Sequence, residues 1–159
     1  MTTVTAPALA GHQFLRGMPA RHLAFLASRA TLVTVPAGYR FFEVGGPAQY
    51  FLLIRAGQVA LDVPEPGRGR LVVESLGRGE VVGVSWFFLP YRWEFGAVAV
   101  QPTEAFKLAA LPVRQRCEED PDFGYEFTRR LIAVVARRLQ GTRRRMIQLC
   151  GEDSIQLAE

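Results

Sequence analysis

The residues best equipped for chemistry gather in one stretch, Gly79–Phe95, GEVVGVSWFFLPYRWEF. It holds both tryptophans of the chain, Trp86 and Trp93, with Arg92 set between Tyr91 and Trp93 and Glu94 beside it. A guanidinium among rings can meet an anion or stack on an aromatic face, and an indole can stack on a flat ligand. Gly83 permits close backbone approach, and Ser85 carries a hydroxyl able to cap a helical turn. This is equipment for holding a small molecule. The same residues also have plainer roles: Trp86, Phe87 and Phe88 as core, Arg92 as a surface cation on a ring, Glu94 as its ion-pair partner.

Little else in the chain suggests catalysis. A metal-dependent barrel enzyme needs two or three histidines and a glutamate inside the barrel, whereas His12 and His22 both precede the first strand. Cys117 and Cys150 lack the spacing of a zinc site or a redox pair. No nucleophile elbow, phosphate-binding loop or dinucleotide fingerprint occurs. The expectation is a binding protein, not an enzyme. Charge is uneven, with a formal net of +4 and arginines at 129, 130, 137, 138, 143, 144 and 145. Such a cluster attracts nucleic acid or acidic lipid, or simply forms a solvated helix face.

The elements that must position these residues follow from pattern. The 159 residues suit one domain with a sizeable core. Residues 1–12 read as a flexible leader without the basic start of a secretory signal, and no apolar run is long enough to span a bilayer. A cytoplasmic protein with no membrane partner is expected. Residues 13–29 predict one or two short helices. From about 31 to 111, eight short β-branched or aromatic segments alternate with turn formers such as PAG and PEPGRGR, which predicts an antiparallel sandwich or barrel. A short helix over 112–121 follows, then a long one with Asp122 as cap and Gly151 as stop. The long helix carries two apolar stripes. Phe127, Leu131 and Val134 suit packing on the barrel. Ile132, Val135, Leu139, Thr142, Met146 and Leu149 follow a coiled-coil spacing and predict a homodimer seam. In a parallel pair Arg138 would face Arg143 of the other chain, so a barrel acid or a bound anion would have to relieve it.

The order of pieces is informative: short helices, VPAGYRFFEVGGPAQYFLLIRAGQVALDV, LGRGEVVG, further strands and a long helix. It resembles the cyclic nucleotide-binding domain, the sensor module of Crp/Fnr-type regulators and of protein kinase A regulatory subunits. The resemblance spans residues from about 14 to 150. It implies a mainly β fold with flanking helices: an eight-stranded antiparallel jelly-roll barrel, short N-terminal helices and a long C-terminal helix. The domain would occupy 13–150 and leave 151–159 as a tail. No room remains for a helix-turn-helix, so sequence-specific DNA binding is not expected.

In that family a cassette before one strand presents short-helix amides to a phosphate, a glutamate to the ribose and an arginine to the phosphate charge. Gly83 matches the cassette glycine, but Val84 or Ser85 stands where the glutamate belongs. Counting from Gly83 places Arg92 near the arginine position; counting back from the next strand places Phe95 there. The implied ligand contacts are Gly83, Val84, Ser85, Trp86, Arg92 and Trp93. Three readings stay open: a cyclic nucleotide (cAMP or cGMP) or other anionic small molecule, a more apolar ligand, or a pocket filled by its own rings. The expected function is a regulatory small-molecule sensor with an altered cassette, signalling through its C-terminal helix to a protein partner. The alternative is a ligand-free scaffold of the same fold.

Overall fold

The computed structural model describes residues 2–157, with side chains through residue 151. Each of the eight apolar segments forms a strand: β1 (Ala30–Val35), β2 (Arg40–Phe42), β3 (Tyr50–Ala56), β4 (Val59–Glu65), β5 (Gly69–Leu76), β6 (Val81–Val82), β7 (Gly96–Ala99) and β8 (Thr103–Ala109). They form two antiparallel four-stranded sheets, ordered β1-β8-β3-β6 and β2-β7-β4-β5. The result is the expected jelly roll, built as two facing sheets rather than one continuous ring. Gly38, Gly45 and Gly57, each between two consecutive strands, all take the positive φ that a tight reversal favours.

Strand β3 explains how one sheet serves two cores. Successive side chains point to opposite faces. Leu52 and Ile54 lie between the sheets with Val59, Leu61 and Ala97. Phe51 and Leu53 join a second core with Leu26, Trp86, Phe106 and Phe127. The run YFLLI is continuous because both its faces are buried. Each such large side chain contributes about 1.5–3 kcal/mol on burial.

The N-terminal residues differ from the flexible leader expected over 1–12. Helix α1 (Ala6–Ala10) is capped by Thr5, whose hydroxyl accepts from the Ala8 amide, and it buries Leu9. His12 is buried and bonded at both ring nitrogens, to the Ile54 carbonyl at 2.9 Å and the Phe14 amide at 3.2 Å. The Phe14 amide must donate, so Nδ1 accepts and Nε2 carries the proton. A single turn (Gln13–Leu15) and helix α2 (Ala20–Ser28) complete the N-terminal layer.

Helix α3 (Ala110–Glu119) and helix α4 (Pro121–Leu157) follow the sheets. The cap of α4 is Asp120, not Asp122. Its Oδ1 accepts from the amides of Asp122 at 3.1 Å and Phe123 at 3.3 Å. Those bonds, led by the Phe123 amide, hold the Asp120 carboxyl below its ordinary pKa. Pro121 takes the first helical position, where no amide is needed. Asp122 meets Arg21 and His22 instead. Gly151 does not stop the helix, which continues to Leu157; residues 158–159 of the expected tail lie outside the described residues. Among the described residues no helix is long and apolar enough to cross a membrane.

Candidate functional site

Strand β6 runs into Gly83, whose φ of +97° favours glycine. Val84 follows, then one 3-10 turn, Ser85–Phe87. A Cβ on Gly83 would stand 2.8 Å from the Trp93 ring. Trp93 lies across the turn, stacked on Phe42 with centroids 3.7 Å apart and planes 7° from parallel. Its backbone is equally fixed: Trp93 N–H donates to the Gly46 carbonyl at 2.9 Å, and Gly45 N–H to the Trp93 carbonyl at 2.8 Å. A positive-φ glycine thus leads into a single helical turn, and an indole covers that glycine.

Two of the sequence-derived contacts lie elsewhere. Trp86 is fully buried in the core, stacked on Phe51 at 4.4 Å and edge-on to Phe127 of α4 at 5.7 Å. Its Nε1–H donates to the Gly83 carbonyl at 3.0 Å, so it braces the turn from behind rather than facing a ligand. Arg92 is exposed and donates to the Gly45 carbonyl at 3.2 Å, outside the cleft. The cation over the Tyr91 ring is Arg114 of α3, at 3.9 Å, which also donates to the Trp86 carbonyl at 2.6 Å. Partners distant in the chain decide both positions: Phe51 of β3 and Phe127 of α4 hold Trp86, and the Gly45 carbonyl holds Arg92.

Gly83, Val84, Ser85 and Trp93 do come together, on one wall of a cleft of about 280 Å³. Phe42 and Leu61 floor it, and Glu94 and Phe95 rim it. The opposite wall is α4, through Val135, Arg138, Leu139 and Thr142. Sequence reasoning left Arg138 in the dimer seam. Here it turns inward, donating to the Val81 carbonyl, with Nε 4.0 Å from Glu74. Burial pulls its pKa below the ordinary arginine value, with Glu74 and Glu80 opposing, and an arginine remains charged throughout the physiological range. Within the chain, the acid beside Arg138 is Glu74 of β5. The cleft offers one guanidinium, two carboxylates, two hydroxyls and an apolar floor. That set can bind and orient a ligand; it has no nucleophile paired with a base.

Helix α4 divides as its two stripes predict. Phe127, Leu131 and Val134 are buried against the domain. Ile132, Val135, Leu139, Met146 and Leu149 are exposed, at 61%, 38%, 49%, 57% and 70%, and Thr142 is exposed with them. Val135, Leu139 and Thr142 belong to this stripe and to the cleft wall at once.

The cyclic nucleotide-binding domain profile matches residues 32–120. No curated protein sequence matches the chain. Among solved structures, a putative cyclic nucleotide-binding protein from Geobacter metallireducens aligns with TM-score 0.78 and 22% identity, covering 86% of this chain and 98% of that one. The catabolite activator protein of Thermus thermophilus aligns with TM-score 0.66 and 23% identity over 87% of this chain and 63% of its own. A cAMP-binding acyltransferase from Mycobacterium smegmatis aligns with TM-score 0.65 and 20% identity over 86% of this chain and 41% of its own. With its jelly roll, its glycine-led turn and a profile match across more than half its length, the chain belongs to the cyclic nucleotide-binding domain family.

Proposed function

We propose that this protein is a regulatory small-molecule sensor, not an enzyme, whose ligand enters the cleft between the Gly83 turn and α4. The single observation that carries the reading is the shared wall: Val135, Leu139 and Thr142 line the cleft and also form the outward stripe of α4. A ligand touching them has differential affinity for different packings of the helix, which is what a signal requires. A homodimer through that stripe would read out the change. A second route runs from the turn through Trp86 to Phe127, whose rings are 5.7 Å apart.

The ligand we infer is a ring-bearing small molecule with one anionic group, cAMP and cGMP being the first candidates. Trp93 occupies the glycine of the turn, so the anion is met from the helix side by Arg138 rather than by Arg92. Trp93 and Phe42 supply the apolar face for the ring system. Thermal-shift titration with cAMP and cGMP tests this. Saturation near 100 times the dissociation constant should add about 2.7 kcal/mol of stability. No shift with either nucleotide would leave the ligand-free scaffold, a reading that the covered glycine favours.

A further inference from the structure

A second cavity, of about 380 Å³, lies on the other side of Arg138, between the turn joining β5 to β6 and the face of α4. Four guanidiniums reach it: Arg78 from the turn, and Arg137, Arg138 and Arg145 from the helix. Two carboxylates, Glu74 and Glu80, also line it. Glu80 is engaged by the Gly77 amide at 2.6 Å, and Glu74 faces Arg138. Among the described residues Arg78 and Arg137 have no ion-pair partner, and Arg145 bonds only to the Thr142 hydroxyl, at 3.3 Å. Three exposed cations therefore converge on one concavity, and with Arg138 its lining sets four guanidiniums against two carboxylates, leaving a net positive charge.

The helix face is shaped for this. Arg137, Gly141 and Arg145 are spaced four residues apart and so share one face. A glycine inside a helix is less favourable than alanine, because it has more backbone freedom to lose. A Cβ at Gly141 would meet nothing within 4 Å, so the gap is open space between two arginines. We propose that this cavity binds a compact multivalent anion of the polyphosphate class, such as the di- or triphosphate of a nucleotide. Convergence on one pocket suits a compact anion; a duplex offers its charges strung along a rod. Arg138 and Glu74 line both cavities, so occupancy here reaches the sensor cleft, although binding here does not depend on that cleft being a ligand site.

The test is calorimetric titration of the full chain with inorganic tripolyphosphate at constant ionic strength, with orthophosphate and a short DNA duplex alongside. Tripolyphosphate should bind, and orthophosphate should bind at least about tenfold more weakly, because fewer charge-assisted bonds form. R78Q combined with R137Q should weaken tripolyphosphate about tenfold or more. G141M should fill the gap, weakening tripolyphosphate while raising the melting temperature of the free protein. Absence of tripolyphosphate binding, equal binding by the double variant, or tighter salt-sensitive binding of the duplex would each overturn the proposal, the last in favour of an extended nucleic-acid surface. Cyclic nucleotide titration of the same double variant separates this site from the cleft, whose lining it leaves intact.

Discussion

Replacing Leu139 with glutamate separates the two jobs given to α4. In the single chain Leu139 is 49% exposed, so the substitution should cost the folded monomer only about 1 kcal/mol, for the half of the side chain already covered. In a dimer the remaining half of the side chain is covered. Full burial of a leucine is worth about 1.5–3 kcal/mol, so each copy loses roughly 1 kcal/mol and the pair roughly 2. Two carboxylates brought into one seam add a desolvation and repulsion cost of at least a further ~1 kcal/mol. The sum, about 3 kcal/mol, raises the dimer dissociation constant more than ~100-fold. Light scattering coupled to size exclusion reads this directly: the wild type should run at the mass of two chains and L139E at the mass of one, with circular dichroism unchanged. An unchanged two-chain mass for L139E, or a wild type that is already a monomer, would refute the seam.

Other consequences follow from single contacts. G83A forces a Cβ onto a φ of +97° and to within 2.8 Å of Trp93, an indole already stacked on Phe42; roughly 2–4 kcal/mol should be lost, read as a lower denaturant midpoint. Buried Asp62 takes two bonds from Arg40, at 3.0 and 2.7 Å, and lies 3.6 Å from Arg70. D62N should cost about 2 kcal/mol at neutral pH, since Arg40 keeps partial access to water. The Arg40 bonds hold the Asp62 carboxyl below its ordinary pKa, so its stabilisation is complete above the unfolded value near ~3.9 and is lost as pH falls through the lower folded value. D62N should show a flatter acid limb than wild type. His12 behaves similarly one step higher. Burial lowers its pKa, so its contribution is complete above the unfolded value near ~6.5 and declines as pH falls toward the folded value. H12Q should remove that slope in urea melts followed across this window.

The strands were legible because their signals are local. The run around Leu52 is apolar on both faces, and glycines stand where the chain must reverse. The split of α4 was legible for the same reason, since 3–4 spacing fixes which residues share a face. The cap of α4 could have been found, because Pro121 marks the first helical position and points to Asp120. The candidate site was only half legible. Sequence brings Gly83, Val84, Ser85 and Trp93 to one turn, but Trp86 and Trp93 are the same residue type on opposite sides of it. Both indoles are buried, and which of them lies against the cleft depends on Phe51 and Phe127, far away in the chain. The inward turn of Arg138 depends on Glu74 and the Val81 carbonyl, and the role of Arg114 on Tyr91 and Trp86. The packed N-terminus rests on His12 reaching Ile54, and a five-residue helix is too short to announce itself by periodicity.

In the proposed sensor the charge that meets the ligand comes from Arg138 of α4 and not from Arg92 of the turn. Calorimetric titration of cAMP and cGMP into wild type, R138Q and R92Q addresses it most directly. Wild type should bind, R92Q should retain that binding, and R138Q should bind about tenfold or more weakly. Binding lost in R92Q but kept in R138Q, or no binding of either nucleotide to wild type, would contradict it.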